Sequence, residues 1–137
     1  MSEYINAETV MSRLNAAGRT LLLLPPGRVH PMLTQHLADV EAEDIKPRLR
    51  LCADPAAIDD MDRVFAWLSL IPHDRYVLRR IVGARSLVSP STDKHLYSWR
   101  RLVALLGADH KAIQRWHAQG IDMIVDALRA RSRGVAA

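Results

Sequence analysis

The chain holds one cysteine, Cys52, so it cannot close an intrachain disulfide, and a cytoplasmic setting is the expectation. It has little aromatic content: three Trp, three Tyr and one Phe among 137 residues. Its only dense apolar run, LLLLPP at 21–26, is far too short to span a bilayer. No basic segment followed by an apolar stretch opens the sequence, so no signal peptide is expected. Glycine-rich phosphate cradles are missing as well, PPGR being a turn. The six histidines (His30, His36, His73, His95, His110 and His117) show no tight metal spacing with Cys52. No base accompanies Cys52 as a nucleophile would require. The expectation is therefore no enzyme, no metal, no cofactor and no membrane partner.

What is present suits one compact helical unit. Apolar residues make up 49% of the chain, enough for a core. The formal net charge is +4, and its distribution is uneven. Residues 1–97 carry twelve Lys/Arg against twelve Asp/Glu, while residues 98–137 carry seven Lys/Arg against three Asp. All of the excess positive charge thus falls in the last forty residues, which points to an anionic partner there.

The pattern predicts an all-α fold, a helical domain ending in a helix-turn-helix. Asn6 can cap a first helix with Val10, Met11 and Leu14 on its apolar face, and Gly18 can end or interrupt it. Leu21–Leu24 can extend that helix into the core. Pro25, Pro26 and Pro31 then force irregular backbone. TQHLADVEAEDI reads as a weak helix and KPRLRLCADPA as a linker. From Asp54 the organisation sharpens. Pro55 suits a first helical turn, and Ile58, Met61, Val64, Phe65, Leu68 and Ile71 recur at helical spacing. Asp59, Asp60 and Asp62 read as the solvated face of that helix. Pro72 stops it, and HDRYVLRRIVGARSL is the next, with Tyr76, Val77, Ile81 and Val82 inward. The expected division is residues 1–53 as N-terminal helices with a proline-containing linker, and 54–137 as a helical DNA-binding domain with the helix-turn-helix at 98–117.

The polar loop VSPSTDKH precedes WRRLVALL, Gly107 and HKAIQRWH. Leu102, Val103 and Leu106 are expected to face the core, Gly107 to take a left-handed turn, Ala108 to tuck beneath it and Asp109 to cap the second helix. Ile113, Trp116, Ile121, Ile124, Val125 and Leu128 pack that helix down to about Ala130. This leaves His110, Lys111, Gln114, Arg115 and His117 outward at its start. Glutamine can read adenine and arginine guanine in a major groove, while Lys and His suit phosphate. Arg100 and Arg101 fall on the preceding helix, where backbone contacts occur. The competing reading is a helical hairpin with a solvated basic face. Trp67, Trp99 and Trp116 read as core rather than as stacking platforms.

The order of these signals resembles a small family of phages, prophages and proteobacteria that ends in a helix-turn-helix. The matching stretches are VMSRLNAAGRTLLLLPPGR, AAIDDMDRVFAWLSLIPHDRYVLRRIVGAR and SWRRLVALLGADHKAIQRWHAQGIDMIVDAL. The second is also similar to the helices preceding the DNA-reading unit of sigma-factor region four. The resemblance implies that 109–117 enters the groove and that the output is transcriptional regulation of phage or phage-derived genes. Two departures are the longer loop LVSPSTDKHLY and a less basic second helix, so that a homodimer would be needed to double the phosphate contacts. Two alternatives stay open. One is a small terminase-like packaging subunit acting with a terminase large subunit rather than RNA polymerase. The other is a protein adaptor docking through Leu21–Leu24 or the polar loop.

Overall fold

The computed structural model describes residues 5–24 and 54–134. They form five α-helices: α1 (Ala7–Leu23), α2 (Pro55–Phe65), α3 (Tyr76–Ser86), α4 (Trp99–Leu106) and α5 (His110–Ser132). Two 3₁₀ turns, Ala66–Leu70 and His73–Arg75, join α2 to α3. Among the described residues the only extended pairing is a single antiparallel bridge between Val88 and His95. The fold is all-α, as the apolar periodicity predicted. Cys52, His30, His36, the three prolines after Leu24, the helix expected over TQHLADVEAEDI and most of the linker KPRLRLCADPA lie outside the described residues.

Local chemistry sets the helix starts. The Asn6 side chain accepts from the Thr9 amide at 2.7 Å and caps α1. Asp54 accepts from Ala56 at 3.3 Å, and Pro55 fills the first turn of α2, where its missing N–H costs nothing. Ser98 accepts from Arg101 at 3.1 Å at the head of α4. Asp109 holds the cap position of α5 through its carbonyl, which accepts from Ile113 at 3.0 Å, but its side chain makes no capping bond, contrary to expectation. α2 ends where its apolar residues tighten into 3₁₀ geometry, and Pro72 then stops the run.

One core unites these elements. Val10, Leu14, Ala17 and Leu21 of α1 meet Met61, Val64 and Phe65 of α2, Leu78, Ile81 and Val82 of α3, and Ile121, Ile124 and Val125 of α5. Each fully buried leucine or isoleucine here contributes about 1.5–3 kcal/mol relative to exposure. α1, grouped by sequence with the N-terminal segment, therefore shares its core with residues beyond 54. Leu21 is buried in that core and Leu22 is buried beside it, while Leu23 and Leu24 are half-buried.

Two glycines set the closest crossings. Gly18 neither ends nor interrupts α1; it lets α1 lie against the last turn of α3, where a Cβ would sit 1.7 Å from the Ser86 carbonyl oxygen. Gly120, inside α5, faces α3, where a Cβ would sit 2.7 Å from Val82 Cγ2. Three expected positions shift. Met11 is 37% and Val77 42% exposed, because the inward stripes run through Val10 and Leu14, and through Leu78, Ile81 and Val82. Asp60 leaves the solvated face, pairing with Arg13 at 2.7 Å across the α1–α2 contact. The loop after α3 is folded onto the body: Leu87, Val88 and Ser89 are buried, and Asp93 pairs with Arg19 at 2.8 Å.

Candidate nucleic-acid interface

α4 and α5 are joined by three residues. Gly107 stands at φ +66°, ψ +24°, and its amide closes the last turn of α4 on the Val103 carbonyl at 2.9 Å. Only glycine takes this left-handed conformation without a steric cost. Leu102 is buried and Val103, Leu106 and Ala108 are half-buried against the core, as the spacing predicted. Ile113, fully buried, pins the first turns of α5. Trp116 packs at the core margin beside it. From Gly120 onward α5 belongs to the bundle; before that, one side of the helix is solvent-facing.

His110, Lys111, Gln114 and Arg115 are all exposed on that side, together with Arg100 on α4. Lys111 and Arg115 are one turn apart and so occupy one stripe, continued by the small Ala118. The Gln114 amide nitrogen lies 3.1 Å from His110 Nε2. Asp122 and Asp126, exposed further along, end the positive stretch. Leu105, 51% exposed on α4, is an apolar residue that the periodicity did not mark as outward.

Two residues expected at the interface are placed elsewhere. Arg101 turns back toward its own loop: its guanidinium donates to the Leu96 carbonyl at 3.2 Å and stacks 4.5 Å from the Tyr97 ring centroid. His117 is half-buried, with its ring edge-on to Trp99 at 5.4 Å. Burial first, then the nearby Arg85 charge and His95, push its pKa down to about 4. It is neutral at pH 7 and cannot serve as a phosphate-binding cation. The physical reason is register: residue 117 follows 113 by one turn on the inward side, whereas 111, 114 and 115 face out.

Behind this exposed face sits a cluster that sequence order does not reveal. Arg85, at the end of α3, places its guanidinium 4.0 Å over the Trp99 ring and donates to the Tyr97 carbonyl at 2.9 Å. Its own carbonyl accepts from His95 Nδ1 at 2.6 Å. A carbonyl can only accept, so the His95 proton sits on Nδ1. Desolvation and the adjacent Arg85 charge lower the His95 pKa, and that backbone bond partly offsets them. Burial also lowers the pKa of Arg85. With one face of Trp99 covered and His117 at its edge, that ring is a packing element. Trp67, similarly, carries the Arg13 guanidinium 5.3 Å from its centroid. Nothing in the sequence links Arg85 to Trp99; only the fold of the intervening loop joins them.

No group of three or more potential metal ligands occurs among the described residues, and none of the described helices is long and apolar enough to cross a membrane. Comparison with protein families, curated proteins and solved structures finds no match for this chain.

Proposed function

We propose that the chain binds double-stranded DNA, with α4, the Gly107 turn and α5 working as a helix-turn-helix whose second helix enters the major groove through its first three turns. The observation that carries this reading is one face: His110, Lys111, Gln114 and Arg115 project outward from a helix start held down by buried Ile113. Lys111 and Arg115 supply phosphate or guanine contacts, and Arg100 on α4 supplies a backbone contact. The chain's whole positive excess lies after residue 97, on the segment that contains this face. Small Ala118 leaves the stripe low enough for close approach. The role is binding without catalysis, in a cytoplasmic setting.

The test is titration of the full chain with duplex DNA over a salt series. The unchanged protein binds at low salt and loses affinity steeply as salt rises, because neutralised phosphates release counterions. Lys111→Ala and Arg115→Ala weaken binding, and each lowers the salt slope by about one if its contact is to phosphate. Absence of binding at low salt overturns the reading. Transcriptional regulation of phage-type genes and recognition of DNA for packaging both start from this surface. Sedimentation separates them: a dimer on DNA fits regulation, and a ring that captures a large ATPase subunit fits packaging.

A further inference from the structure

His110 and Gln114 lie one turn apart on α5 and meet through nitrogen atoms, Gln114 Nε2 to His110 Nε2 at 3.1 Å. An amide nitrogen can only donate, so the imidazole Nε2 accepts and its proton is carried on Nδ1. That bond uses one of the two amide hydrogens of Gln114. The second hydrogen and both lone pairs of Oε1 remain, on a side chain that is exposed.

We infer that Gln114 is a specificity-determining residue that reads adenine at one base pair, with His110 as the positioning residue that fixes its amide. This rests on the DNA-binding reading above. Adenine is the base whose major-groove edge offers an acceptor at N7 beside a donor at N6. The remaining Gln114 N–H matches N7 and Oε1 matches N6–H₂, so the pair is bidentate while the bond to His110 is kept. A guanine edge offers two acceptors and leaves Oε1 without a donor. The side chain therefore discriminates between the two purines by hydrogen-bond complement, not by charge. Lys111 and Arg115, flanking it on the same face, are the residues that hold the duplex in place.

The experiment is selection of the full chain on a library of random duplexes at fixed salt, followed by affinity measurements at the four base pairs of each selected position. The unchanged protein prefers A·T at one position by at least about fivefold. Gln114→Ala removes that preference and leaves the other positions as they were. His110→Ala shrinks it, and His110→Gln, whose carbonyl can accept the same bond, restores it. A role of these exposed residues in folding alone would not move a base preference at a single position. Binding without any A·T preference, or a preference unchanged by Gln114→Ala, overturns this assignment and leaves DNA binding standing. Failure of the unchanged protein to bind duplex at low salt overturns both.

Discussion

Glycine does opposite work at the α1–α3 crossing and at the α4–α5 turn. At Gly18 the backbone conformation is ordinary helix and the space is full: a methyl group would collide with the Ser86 carbonyl. At Gly107 the space is open, with nothing within 4 Å of a built Cβ, and the conformation is left-handed. The first site is set by tertiary packing and the second by local backbone preference. A local preference can be recognised from neighbouring residues, whereas a crossing requires knowing what lies on the other side. The turn at Gly107 is therefore legible in its neighbours, and the role of Gly18 is not.

Substitutions sharpen this contrast, beginning with the packing site. Gly18→Ala is expected to destabilise by about 3 kcal/mol or to prevent folding, since backbone atoms must separate to admit the methyl. A denaturant titration giving less than about 1 kcal/mol would mean that the two helices part easily. Acid is expected to act next most strongly, through the cluster behind α4. The unfolded chain takes up the His117 proton near pH 6.5, whereas the native state holds it off until about pH 4. Between these values the unfolded state binds more protons, so stability falls as pH drops from 6.5 to 4 and then levels. The loss is on the order of 3 kcal/mol. His95, lowered in the same direction, adds to it. His117→Phe keeps a ring against Trp99 and should flatten the profile measured by thermal melts across pH 4–7.

At the turn, Gly107→Ala is expected to cost about 1–2 kcal/mol, the ordinary penalty for a left-handed residue with a Cβ. Hydrogen exchange should show the loss concentrated at the end of α4, with α1 and α3 little changed; uniform loss would erase the distinction between the two sites. The smallest effects come from the caps. Asn6→Ala removes a 2.7 Å side-chain bond and should cost about 1 kcal/mol. Asp109→Ala removes no such bond and should cost less than about 0.5 kcal/mol. Equal costs, measured by chemical denaturation, would show that position alone decides a cap here.

The same division explains what was legible in the residues. Helix starts at Asn6, Asp54 and Trp99, the stop at Pro72 and the turn at Gly107 follow from local rules, and the apolar stripes of α2 and α5 follow from period. Met11, Val77 and His117 differ from their expected faces because a stripe fixes an inward face only to within about one residue per turn. Val77 neighbours the inward Leu78 on α3, and His117 neighbours Trp116 at the edge of the α5 stripe. Arg101 differs for another reason. Charge on a helix suggests solvent, and the loop residues Leu96 and Tyr97 that hold it belong to a segment without periodicity. For the candidate interface, charge and spacing mark His110, Lys111, Gln114, Arg115 and Arg100 as outward, and all five are exposed, while neither reveals the Arg85–Trp99–His117 contact.

α5 runs without a break from exposed His110 through the crossing at Gly120 to the bundle. It is a lever with its fulcrum inside the protein. Lys111 stands nine residues from Gly120, an arm of about 14 Å, so a 10° swing about the crossing would carry its Cα about 2 Å. That distance is several times the roughly 0.5 Å window of a hydrogen bond. Aim at the outer end is thus set jointly by buried Ile113 beside it and by the methyl groups at the inner crossing. A substitution at Val82, far from solvent, can mis-aim the whole face without altering any residue on it.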